Sequence, residues 1–134
     1  TRDLISEWAQ KCEVRLVGSG GLARLAETYM RGGQVDEAAV LKEIEPCFVE
    51  KDGKRTDIIV LACTHYPFLV NRMRKMAPWP VDWIDTSEAI ARRSVSLLKP
   101  EADPEVGEFD VAVFTSGAPD PVTAKLLRGF GLLV

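Results

Sequence analysis

The chain has 134 residues, 46% of them hydrophobic and 28% charged, with a formal net charge of −3 and an isoelectric point near 5.2. That length suits one domain with a sizeable core, and the acidic balance with scattered Lys and Arg argues against a nucleic-acid partner. No apolar run approaches the ~20 residues needed to span a bilayer and no signal peptide is visible, so no membrane partner is expected. Three cysteines, an odd number, make no disulfide framework and point to a reducing, cytoplasmic setting.

Leu4, Ile5 and Trp8 share one helical face, so residues 1–10 read as the end of a helix. Glu13 to Val17 alternates like a strand, and Gly18-Ser19-Gly20-Gly21 turns into a helix with Leu22, Leu25, Ala26, Tyr29 and Met30 at helical spacing. Gly32-Gly33 ends it. A second helix runs from Val35 to about Glu45 and stops near Pro46, and Lys51 to Lys54 is a solvated turn. Ile58 to Ala62 is β-branched and uncharged, the signature of a buried strand. A helix follows from Pro67 to about Met76, in which Arg72 to Lys75 has the spacing of a solvated face. Val81 to Ile84 is a strand, and Asp85 with Glu88 opens a capped helix to about Leu98. Residues 99–107 form the best linker. Phe109 to Phe114 is a strand, Thr115 to Gly117 a turn, and Val122 to Phe130 a helix after Pro121. Strands alternating with helices imply an α/β fold, a mostly parallel sheet with helices on both faces.

The chemistry concentrates in Cys63-Thr64-His65, where a cysteine stands two positions from the only histidine of the chain. The triplet lies on the turn at the carboxyl end of a strand and before a helix, the place where ligands bind in open α/β sheets. Free N–H groups and partial positive charge at a helix start favour a thiolate, and they can also hold a substrate carboxylate. The alternative is a small hydrophobe ending a buried strand, with the histidine merely hydrogen-bonded nearby.

Other features carry less. Gly18-Ser19-Gly20-Gly21 lacks the G-x-G-x-x-G spacing of a dinucleotide site, and a plain strand-to-helix turn is preferred. Glu27, by composition, is an exposed helix residue. Cys12, Cys47, Cys63 and His65 lack the close pairing of a zinc site, so no metal is expected. Tyr66-Pro67-Phe68 replaces the Gly-rich loop that a cysteine phosphatase needs. Asp85, Thr86 and Ser87 follow a strand and could line a site, but helix capping accounts for them and is preferred.

Cys63-Thr64-His65-Tyr66-Pro67 resembles the second cysteine motif of the glutamate racemases, within the cofactor-independent aspartate/glutamate racemase superfamily. Val17 to Glu27, Asp85 to Ala89 and Thr115-Ser116-Gly117 resemble later and flanking family segments in the right order. Together these cover about Leu16 to Gly117. His65 stands where aspartate racemases usually carry Glu. In the Gly18-Ser19-Gly20-Gly21 turn, where family members often have a Cys-Pro pair, the sequence departs from the family, which leaves the local backbone open. Nothing resembles the family's first half, so the sequence looks like the carboxy-terminal half, whether as a fragment or a truncated gene product.

The resemblance implies a two-domain fold facing across a cleft. Residues 1–84 would form most of the second domain, and 85–134 would return to a first domain. It also implies a glutamate substrate, no cofactor, and two-cysteine proton transfer at Cα yielding D-glutamate for peptidoglycan synthesis. Cys63 would be one of the two cysteines, His65 would tune it or assist at the amino group, Glu27 would lie near both, and Thr64 would hold the substrate carboxylate. A related racemase (aspartate or hydantoin) and a non-catalytic fragment are the competing readings, and a homodimer is left open.

Overall fold

Leu22 and Ala26, one turn apart on a single helix, set the packing of the second quarter of the chain. The computed structural model describes residues 2–98, 110–115 and 117–134. Helix α1 (Arg2–Trp8) comes first and leaves Trp8 exposed. The strand expected over Glu13 to Val17 is absent from the described structure, and Val14 and Leu16 are exposed. Alternation creates an apolar face, but a strand also needs a neighbouring backbone to satisfy its hydrogen bonds. No described segment pairs with this stretch.

Helix α2 (Leu22–Met30) buries Leu22 and Ala26. It ends in a Schellman motif, with the Gly32 N–H donating to the Tyr29 carbonyl at 3.0 Å and the Gly33 N–H to the Thr28 carbonyl at 2.9 Å. Gly32 has φ +78, and a Cβ on Gly33 would stand 2.7 Å from the Thr28 methyl, so both positions demand glycine. Helix α3 (Glu37–Ile44) is capped by the Asp36 side chain, which accepts from the Ala38 N–H. It passes into a 3₁₀ turn at Glu45–Cys47 containing Pro46. Strands β1 (Glu50–Lys51) and β2 (Lys54–Arg55) form an antiparallel hairpin about Asp52 and Gly53, with φ of 53 and 74. Those angles fit the Asp-Gly turn that matches strand twist.

Strand β3 (Ile58–Leu61) runs parallel to β4 (Asp82–Asp85), in register from Ile58 opposite Asp82 to Leu61 opposite Asp85. Between them the expected helix begins as a 3₁₀ turn (Tyr66–Leu69) before becoming α4 (Val70–Met76). Helix α5 (Ser87–Leu97) follows β4 and buries none of its residues. The Asp85 carboxylate accepts from the Ser87 N–H and hydroxyl at its start, whereas Glu88 pairs with Arg92 at 2.6 Å instead of closing a capping box.

The linker read at 99–107 lies outside the described residues, as do Phe109 and Ser116. Of the strand expected over Phe109 to Phe114, β5 spans Asp110–Val111. It pairs in parallel with β6 (Leu132–Leu133) across helix α6 (Pro121–Gly129). The Asp120 carboxylate caps α6, accepting from the N–H groups of Val122 and Thr123.

The fold is α/β, and both βαβ pairs are parallel. The sheet comes as three two-stranded pieces rather than one surface. The core joins Leu22, Ala26, Val35, Val40, Ile44, Ile59, Leu61, Leu69 and Met73. Along β3, Ile59 and Leu61 face this core, while Ile58 and Val60 are 48% and 54% exposed, so among the described residues helices cover one face only. Arg72, expected on a solvated face, instead lies 5.0 Å over the Tyr29 ring and pairs with Glu37 at 3.5 Å, bracing α4 against α2 and α3.

Met73 is fully buried in this core. Met73→Ala should cost about 2–5 kcal/mol of unfolding free energy, measured by urea titration; a loss below about 1 kcal/mol would contradict the packing described. Asp120 offers a pH test. Its carboxyl is held down from 3.8 to about 2, first by the Thr123 hydroxyl and N–H and then by the Arg31 charge and the Val122 N–H. A lowered folded-state value means the stabilisation is present above the unfolded value and lost as pH falls toward about 2. The first turn of α6 should therefore fray across that window, as read by NMR secondary shifts.

Candidate active site

Parallel strands deliver their carboxyl ends to one edge, and here that edge carries Cys63. Ala62 leaves β3, and Cys63, Thr64 and His65 make the turn into the 3₁₀ segment. The Tyr66 N–H donates to the Cys63 carbonyl and the Phe68 N–H to the His65 carbonyl, both at 3.2 Å. Pro67 occupies a position where a missing N–H costs nothing. From the neighbouring strand end, the Thr86 hydroxyl donates to the Leu61 carbonyl at 3.4 Å, tying β4 to β3 just before the cysteine.

Three side chains form a line. The Cys63 sulfur lies 3.8 Å from His65 Nδ1, and His65 Nε2 lies 3.3 Å from a Glu27 carboxylate oxygen. With a carboxylate at Nε2, the neutral ring keeps its proton on that nitrogen and leaves Nδ1 to accept from the thiol. A thiol, an imidazole and a carboxylate thus stand in hydrogen-bonding sequence. His65 is 38% exposed and Glu27 60%, so the line is open to solvent on one side. The Thr64 hydroxyl is exposed and 3.5 Å from His65 Nδ1, where it can meet a ligand or the ring.

Glu27 reaches this place because α2 packs across the 3₁₀ segment through the fully buried Ala26, the residue before it. The Gly-rich turn preceding α2 is itself clamped. The Ser19 hydroxyl accepts from the Leu22 N–H at 3.0 Å and donates to Glu43 at 2.5 Å. That hydroxyl, followed by the Gly21 N–H and the Lys42 charge, keeps the Glu43 carboxyl below its ordinary range, against the opposing effect of burial. A Cβ on Gly21 would collide with the Glu43 carboxylate. An anion of the chain's own thus occupies the start of α2, which leaves the turn no place for a nucleotide phosphate.

Cys12 is exposed and Cys47 half-buried, and neither joins the line. Among the described residues no cluster of three or more His, Cys, Asp or Glu is placed to hold a metal ion, and no helix is long and apolar enough to cross a membrane. Sequence reasoning missed Glu43 and Thr86 as supports of the site. Glu43 offered no signal, because its partner lies 24 positions away.

The fold and the cysteine turn together describe an α/β chain with a Cys–His–Glu line at a strand end, and comparison with known proteins gives its relatives. No protein-family model matches the chain. It is 70% identical to the glutamate racemase of Mesorhizobium japonicum, over all of this chain and 52% of that protein. Identity is 61% to the glutamate racemase of Agrobacterium fabrum, over all of this chain and 50% of that protein. A crystal structure of Escherichia coli glutamate racemase, in complex with L-glutamate and the activator UDP-MurNAc-Ala, superposes with a TM-score of 0.74 at 26% identity. That superposition covers 98% of this chain and 50% of the solved one. The chain is a relative of the glutamate racemases that spans about half their length, matching their carboxy-terminal half.

Burial pushes the Cys47 thiol up, opposed only in part by the Arg15 charge. Cys47 should therefore alkylate more slowly with iodoacetamide at neutral pH than Cys63, which has an imidazole beside it. Peptide mass mapping gives the rates; equal rates would mean that the histidine contributes nothing to the sulfur's reactivity.

Proposed function

We propose that this chain is the carboxy-terminal half of a glutamate racemase and supplies the second of two facing cysteines for cofactor-independent interconversion of L- and D-glutamate. The reading rests on one observation above others: the Cys63–His65–Glu27 line, at 3.8 Å and 3.3 Å, stands at a strand end of a chain 70% identical to a glutamate racemase. Racemisation takes the Cα proton from one face and returns a proton to the other. A thiolate on one side accepts it, and a thiol on the other side donates, with the roles exchanged in the reverse direction. Cys63 serves one face; the other cysteine lies in the remaining half of the protein.

His65 holds or releases the proton that Cys63 must carry, with Glu27 fixing the ring. Thr64 and the N–H groups of the turn hold the substrate carboxylate. Residues 1–84 belong to the domain carrying Cys63, and 85–134 return to the other domain. The product, D-glutamate, serves peptidoglycan synthesis in the cytoplasm, and a homodimer completes the reading.

In the full-length protein, Cys63→Ala should lower racemisation in both directions by at least about a hundredfold, with the thermal melt nearly unchanged. Circular dichroism of added L- or D-glutamate reads the rate, and wild-type turnover in the variant rejects the assignment. The 134-residue chain by itself should show no measurable racemisation, because one thiol cannot serve both faces of Cα. Robust conversion by the isolated chain overturns the two-cysteine reading.

A further inference from the structure

Arg31 is the C-cap of α2, four residues beyond Glu27 and therefore on the same side of the helix. Arg31 spans to a different part of the chain. One guanidinium nitrogen lies 3.0 Å from the Asp120 carboxylate, and the other donates to the Thr123 hydroxyl at 3.4 Å. Among the described residues, these are the only ion pair and hydrogen bond that join residues 110–134 to residues 2–98.

One end of the contact is fixed beforehand and the other is aimed by the backbone. The Schellman motif at Gly32-Gly33 sets the direction in which Arg31 leaves the helix. Asp120 is held by its cap: one oxygen accepts from the Val122 and Thr123 N–H groups, and the other from the Thr123 hydroxyl at 2.7 Å. On the Asp120 side little side-chain freedom remains to be lost when the pair forms. The macrodipoles agree as well, since a cation sits at the end of α2 and an anion at the start of α6.

Arg31 and Asp120 are 49% and 43% exposed, so the pair adds little to the stability of the chain. Its consequence is geometric. We propose that Arg31 is a positioning residue that latches the α6 segment onto the helix bearing Glu27, so that the place of α6 bears on the carboxylate that faces His65. The kinetic readout rests on the glutamate-racemase reading, whereas the latch does not.

The test uses the full-length protein with Arg31→Ala, Arg31→Lys, Asp120→Ser and the Arg31→Ala/Asp120→Ser pair. Serine keeps a capping hydroxyl for α6 while removing the anion. Arg31→Ala and Asp120→Ser should each raise KM for glutamate about two- to fivefold, with a smaller change in kcat. The double variant should be no worse than either single one, and Arg31→Lys should recover part of the loss. Raising KCl from about 10 mM to about 1 M should raise KM of the wild type by more than that of Arg31→Ala, the rise common to both being screening of the anionic substrate.

Additive single effects, an unchanged KM, or equal salt sensitivity of KM in the wild type and Arg31→Ala overturns the latch. If the wild-type protein does not racemise glutamate, the functional reading fails and hydrogen exchange decides the latch separately. Faster exchange of α6 amides in Arg31→Ala supports it, and unchanged exchange rejects it.

Discussion

Helix α2 lies against the 3₁₀ segment that follows β3, and the site depends on that burial. Leu22 and Ala26 on the helix meet a core in which Leu69 and Met73 have no exposed surface. The small side chain of Ala26 lets the helix approach closely, so the next residue, Glu27, is carried to His65. Hydrophobic burial is non-directional, yet through this contact it sets a directional arrangement of carboxylate, imidazole and sulfur. Widening the contact would separate Glu27 from the ring without touching any of the three groups.

Polar contacts then hold what the packing brings together. Ser19 and Glu43 pin the start of α2, and the Thr86 hydroxyl ties the end of β4 to the last residue of β3. Arg72 ties α4 to both α2 and α3. Each of these bonds is half-exposed and individually small. They act by restricting position at the ends of elements that the core has already placed.

The opposite side of β3 is unlike a finished surface. Ile58 and Val60, with Ile84 on β4, present apolar side chains outward, and α5 exposes Ile90, Val95 and Leu97. A near-continuous apolar strand is the composition of a parallel strand buried on both faces. The described residues cover one face, in a chain that spans about half the length of the relatives it matches.

Much was legible in the sequence because it depends on neighbours along the chain. Gly32-Gly33 had to end α2, Pro46 had to stop α3, and the uncharged β-branched run 58–60 had to be a strand leading into Cys63. The proximity of Cys63 to His65 follows from two positions of spacing on a turn. What depends on distant partners was hidden. Glu13 to Val17 alternates correctly but lacks a backbone beside it, β6 exists only because β5 passes it, and Arg72 finds partners on two other helices. Glu27, by its own composition, is an exposed helix residue, and it stays largely exposed; only the packing of α2 on the 3₁₀ segment, 38 positions along at His65, brings its carboxylate within 3.3 Å of the imidazole. Local hydrogen-bonding and steric rules are written in adjacent residues, whereas a contact between remote ones is decided by which apolar faces bury each other.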